Sequence, residues 1–118
     1  MARFVLNASF DMRHRVILKQ RLRPGQVETY LRAHENIWPE LEAEYRDLGV
    51  TDFSCFIHGR DILIFVETDP ERVARAEGYP RPQDARWQQL MERIKDQEFG
   101  SVEYEEFYRM PMPEDCRV

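Results

Sequence analysis

Two hydrophobic periods run along the 118-residue chain. The stretch HRVILKQRL from His14 is dense in β-branched and long apolar residues and is punctuated by Pro24-Gly25, which predicts a strand over about 14–22. Val27, Tyr30, Leu31, His34, Trp38, Leu41, Tyr45 and Leu48 then follow the three-and-four spacing of one helical face. Pro39 interrupts that helix, because it has no amide to bond residue 35 and disfavours the α conformation at Trp38. The helix is predicted to break around 36–38, to restart with Pro39 in its first turn, and to end at Gly49. Residues 50–57 read as a strand, the turn His58-Gly59-Arg60-Asp61 follows, and the continuous apolar run Ile62 to Val66 reads as a second strand buried on both faces. Asp69-Pro70 is an N-cap with proline at the first helical position, opening a short helix that Gly78 closes. After Tyr79-Pro80-Arg81-Pro82 a further helix carries Trp87, Leu90, Met91 and Ile94 on one face, and Ser101 to Tyr108 reads as the last strand. The order is βαββαβ, a ferredoxin-like α+β arrangement of four strands with helices on one side.

Such a sheet has a second face to cover, and ILIFV makes a poor solvent-facing strand. A second copy of the chain is the economical cover, so a homodimer packed sheet against sheet, a dimeric α+β barrel, is expected, with burial inside one monomer as the alternative. The length fits one domain, placed at 12–110, with 1–11 as a peripheral extension and 111–118 as a tail. Apolar residues at 42% and charged residues at 33% support a packed core under a charged surface. A net charge of -5 argues against nucleic acid or an anionic membrane as partner and leaves a small molecule. Cys55 and Cys116 show no paired spacing, so free thiols in a reducing compartment are expected, with no metal site. The three-residue apolar run near the N-terminus is too short for a signal peptide, and a cytoplasmic location is the expectation.

The segment Tyr30-Leu31-Arg32-Ala33-His34-Glu35-Asn36-Ile37-Trp38-Pro39-Glu40 stands out chemically. Tyr30 and His34 are four apart and project from one helix face, directly before the proline break. A hydrogen-bonded core histidine and a pocket-lining one both fit that placement. The pattern Leu22-x-Pro24-Gly25, then Tyr30-x-x-x-His34-x-x-Ile37-Trp38-Pro39-Glu40-Leu41, then a hairpin and an Arg86-Trp87 helix resembles the L-rhamnose mutarotase family from about Met12 to Met110.

The resemblance implies a mutarotase that interconverts the α and β anomers of a deoxy-hexose such as L-rhamnose or L-fucose, with no cofactor. It implies His34 as the catalytic acid and Tyr30 and Trp87 as sugar contacts. The family's strand tyrosine and second tryptophan fall at Phe53 and Gln88, so these two substrate-binding positions depart from the pattern. The reaction needs loss of the anomeric hydroxyl proton and protonation of the ring oxygen, and imidazole serves as donor or acceptor near neutral pH. Two rival readings remain at this stage: a haem-binding or cofactor-free monooxygenase on the same fold, and a sugar-binding module without turnover.

Overall fold

The computed structural model describes residues 13–113, so the expected extension 1–11 and most of the expected tail lie outside the described residues. The elements follow the order β1 (His14–Arg21), α1 (Val27–Glu35), α2 (Pro39–Asp47), β2 (Val50–His58), β3 (Asp61–Thr68), α3 (Pro70–Arg75), α4 (Pro82–Ile94) and β4 (Val102–Glu105). The strands form one antiparallel sheet in the order β2-β3-β1-β4, which is the ferredoxin-like topology. No helix among the described residues is long and apolar enough to cross a membrane.

The proline break falls where its chemistry places it. α1 closes with Asn36, whose backbone and side-chain amides both donate to the Arg32 carbonyl at 3.2 Å. Trp38 is extended at φ -72 and ψ 125, and its carbonyl accepts from Leu41 and Glu42 as α2 starts at Pro39. Asp69 caps α3 by accepting from the Glu71 and Arg72 amides at 3.0 and 3.4 Å.

Strand register sorts the side chains onto two faces. One face carries the rows Ile57–Ile62–Gln20 and Cys55–Ile64–Leu18, and its end packs into a core of Leu22, Tyr30, Leu41, Ile62, Trp87, Met91 and Ile94. Burying each large aliphatic chain there contributes about 1.5–3 kcal/mol. The other face carries Phe56–Leu63–Lys19–Val102 and Ser54–Phe65–Ile17–Tyr104. That face stays open. β3 is therefore not buried on both sides within the chain as its apolar run implied: Ile62 and Ile64 are buried while Leu63 between them is 37% exposed. The reason is topological, since both long helical segments pack on one side and nothing in the described chain returns to the other. β4 is also shorter than expected, ending at Glu105, beyond which Phe107 stands 82% exposed.

α2 and α4 are joined by a carboxylate. Glu44 Oε1 and Oε2 accept from the backbone amides of Gln83 and Asp84 at 3.0 and 2.7 Å, so a side chain of one helix satisfies the first free amides of the next. Glu44→Ala strands those amides and is expected to cost about 1–2 kcal/mol, read as a lower midpoint in thermal or urea unfolding. Gly49, between α2 and β2, sits at φ 104 with an added Cβ only 2.8 Å from Val73 Cγ2 and 2.9 Å from the Val73 backbone nitrogen. Gly59 in the hairpin, at φ 61, has open space around the same atom. Gly49→Ala should destabilise by about 2–4 kcal/mol and Gly59→Ala by about 1 kcal/mol, a difference that parallel unfolding curves resolve.

Candidate functional site

The last turn of α1 carries the candidate histidine. His34 Nδ1 lies 2.9 Å from the Tyr30 backbone carbonyl. A carbonyl oxygen only accepts, so Nδ1 carries the proton in both the neutral and the charged ring, and Nε2 is the nitrogen that gains or loses one. The ring is held from two further sides, with the Tyr30 ring centroid at 4.3 Å and the Trp87 centroid at 5.2 Å, the latter edge-on at 86°. Trp87 in turn meets Trp38 edge-on at 5.4 Å, and the Arg86 guanidinium covers Trp38 at 4.9 Å. The residues around the proline break thus form one aromatic cluster with α4.

Of the five positions read from the sequence, Tyr30, His34 and Trp87 are together in this cluster. Trp87 is only 6% exposed and belongs to the core, so it meets the imidazole from within the packed interior. Tyr30 is buried as well, and its hydroxyl is within bonding reach of the Cys55 thiol. Desolvation raises the Tyr30 phenol well above its ordinary range and also raises the Cys55 thiol, while it lowers the Lys95 ammonium nearby. The phenol is therefore a neutral donor at any physiological pH.

Phe53 and Gln88 are placed apart from that trio. Phe53, half-exposed on β2, stacks on Tyr45 of α2 with centroids 5.7 Å apart and planes 22° off parallel, and lines a cleft of about 300 Å³ with Ile37, Arg46 and Thr51. Gln88 is exposed on α4 and lines a second cleft of about 260 Å³ with Gln20, Met91, Lys95 and Ser101. The Gln20 carbonyl oxygen in that cleft is buried with no hydrogen-bond partner among the described residues. Tyr45 and Asp84 connect the two outlying positions: the Tyr45 hydroxyl donates to Asp84 Oδ1 at 2.7 Å, and the Gln88 amide donates to the same oxygen at 3.2 Å.

Sequence reasoning missed Tyr45, Asp84, Cys55 and Lys95 as neighbours of these positions. Tyr45 was legible as one more residue on the apolar face of α2, and its hydroxyl was the overlooked signal, because a buried phenol needs a partner. Asp84 and Gln88 are four apart on α4, the spacing that brings side chains together on a helix surface. Nothing local marked Cys55 and Lys95, which meet only through the tertiary fold.

Comparison with known proteins follows the same lines. Residues 15–113 match the family model of L-rhamnose mutarotase. A curated L-rhamnose mutarotase of Acidiphilium cryptum is 38% identical over 50 residues, 42% of this chain and 48% of that protein. Another, from Verminephrobacter eiseniae, is 32% identical over 74 residues, 62% of this chain and 70% of that protein. The chain spans about half the length of several curated relatives it matches. Among solved structures, L-rhamnose mutarotase of Formosa agariphila superposes with a TM-score of 0.60 at 23% identity, covering 84% of this chain and 98% of that one. A protein of Shewanella oneidensis superposes at 0.52 and 13% identity, covering 80% and 90%. These two establish a shared fold, and the family match across nearly all the described residues establishes descent: the chain belongs to the L-rhamnose mutarotase family.

Proposed function

We propose that the chain is a sugar mutarotase that interconverts the α and β anomers of a deoxy-hexose such as L-rhamnose or L-fucose, with His34 as its acid-base group. The observation that carries this reading is the Nδ1 bond of His34 to the Tyr30 carbonyl, which leaves Nε2 as the one titrating nitrogen of a clamped ring. Family membership supplies the reaction class, and the curated relatives matched are named L-rhamnose mutarotase.

The chemistry balances with a single shuttled proton. Nε2 takes the proton of the anomeric hydroxyl, and the same proton is delivered to the ring oxygen as the bond from that oxygen to the anomeric carbon breaks. The open-chain aldehyde forms, rotates about the bond to its neighbour, and presents its other face. The hydroxyl then adds back while the proton transfers reverse, and no electrons are exchanged. Positioned acid-base catalysis of this kind supplies about 10²- to 10⁴-fold. Tyr30 positions the imidazole through its carbonyl and its ring, and is assigned as a sugar contact as well. Phe53, Trp87 and Gln88 are assigned as sugar contacts, Phe53 by its half-exposed ring and Gln88 by an amide that both donates and accepts.

The working unit is a homodimer closed sheet against sheet. Its support is the open face, where Ile17, Phe56, Leu63 and Tyr104 line a groove of about 470 Å³ beside the exposed Phe107. The free Cys55 thiol fits a cytoplasmic location.

Leu63→Glu places a charge at the centre of the open face without touching the core and should convert the dimer to a monomer, read as a halved mass by light scattering. His34→Asn removes the titrating nitrogen while keeping similar bulk. It is expected to slow anomer exchange at least about 100-fold, measured by saturation-transfer NMR on the anomeric protons, with the melting temperature little changed. Near-normal exchange in the folded variant would refute the assigned role.

A further inference from the structure

The two outlying sugar positions are coupled through residues that carry no role in the scheme above. Phe53 and Gln88 sit on different elements, and the path between them runs from the Phe53 ring through the stacked Tyr45 ring, the Tyr45 hydroxyl and Asp84 Oδ1 to the Gln88 amide. The carboxylate at the centre of this path is only half used. Both donors converge on Oδ1, and Oδ2 has no partner among the described residues.

A bland role for that carboxylate would be to cap its own helix, since Asp84 lies in the first turn of α4 where negative charge is favourable. That role is already taken. Glu44 reaches across from α2 and accepts the amides of Gln83 and Asp84. Asp84 is thereby released from capping, with Tyr45 and Gln88 setting its orientation. A half-buried carboxylate with one oxygen fixed by two donors and the other free is an acceptor for a hydroxyl proton, and the adjoining Gln88 carbonyl is a second acceptor one helical turn along.

We propose that Asp84, oriented by Tyr45 and acting beside Gln88, is a specificity-determining residue that reads one hydroxyl of the bound sugar through Oδ2. This rests on the sugar-binding part of the proposed function and on Gln88 as a sugar contact. The ligand class it selects is a neutral pyranose bearing a donor hydroxyl at that point. Tyr45 is a positioning residue; desolvation and its bond to Asp84 keep the phenol protonated, so it holds the carboxylate across the physiological range.

The test is a cross between protein variants and a series of L-rhamnose analogues that each lack one hydroxyl. Anomer-exchange rates by saturation-transfer NMR and dissociation constants by titration are measured for wild type, Asp84→Asn and Tyr45→Phe, with melting curves for each. Wild type should disfavour one analogue relative to L-rhamnose by about 10- to 100-fold, the scale of a lost hydrogen bond to a charged group. Asp84→Asn keeps an acceptor for Tyr45 and Gln88 but turns Oδ2 into a donor, so that single ratio should fall to within about threefold while the ratios for the other analogues hold. Tyr45→Phe keeps the stack on Phe53 and should shrink the same ratio part of the way; it carries the test alone if Asp84→Asn does not fold. An equal loss across every analogue, or an unchanged ratio, would overturn the proposal and leave a purely structural role. Wild type that binds with the expected ratios yet shows no exchange would overturn the mutarotase reading and support this one. Wild type that neither binds nor exchanges any member of the series would overturn both.

Discussion

Pro39 imposes the constraint on which the other features of this structure hang. Its missing amide ends the bonding of α1, and its ring drives Trp38 out of the helical region, so one apolar-faced segment becomes two helices with an extended residue between them. The broken end leaves the last turn of α1 free to carry His34 with its Nδ1 on the Tyr30 carbonyl. The restart then aims α2 so that Glu44 and Tyr45 reach α4. An uninterrupted helix would carry the same residues past α4 in a different direction.

The contacts that follow from the break serve stability and the site together. Glu44 satisfies the amides that begin α4, and Tyr45 beside it engages Asp84 in the same turn. Trp87, one turn further, packs in the core and meets the histidine ring at a right angle. The imidazole therefore leans on residues whose removal would also loosen the fold, and in the proposed reaction this preorganisation would limit the reorganisation that proton transfer requires. A polar network in which each buried donor has its acceptor is rigid, which suits the support of a proposed acid-base group.

The two faces of the sheet have separate tasks. The helix-covered face provides the core and the groups around Tyr30, while the open face shows aromatic and aliphatic side chains in paired cross-strand rows. A row such as Phe56, Leu63 and Val102 exposes apolar area, and in the proposed dimer a second copy would present the same rows across a two-fold axis.

Local chemistry decided what could be read directly from the chain. The strand at 14–21, the break after residue 35, the restart at Pro39, the Asp69 cap and the apolar face of α4 all depend on neighbours within a few positions, and each appears where its pattern places it. The pairing of Tyr30 with His34 was legible for the same reason, since four residues along a helix fix a shared face. Only the tertiary structure decided that Trp87 meets the imidazole at a right angle, that Tyr30 lies buried beside it, and that Leu63 stands on an uncovered face. The same holds for Phe53 and Gln88, which share no contact and are linked through Tyr45 and Asp84. Side chains separated by about 40 positions, such as Tyr45 and Asp84, meet at an angle set by how helices pack on one another, and no periodicity in the sequence encodes that angle.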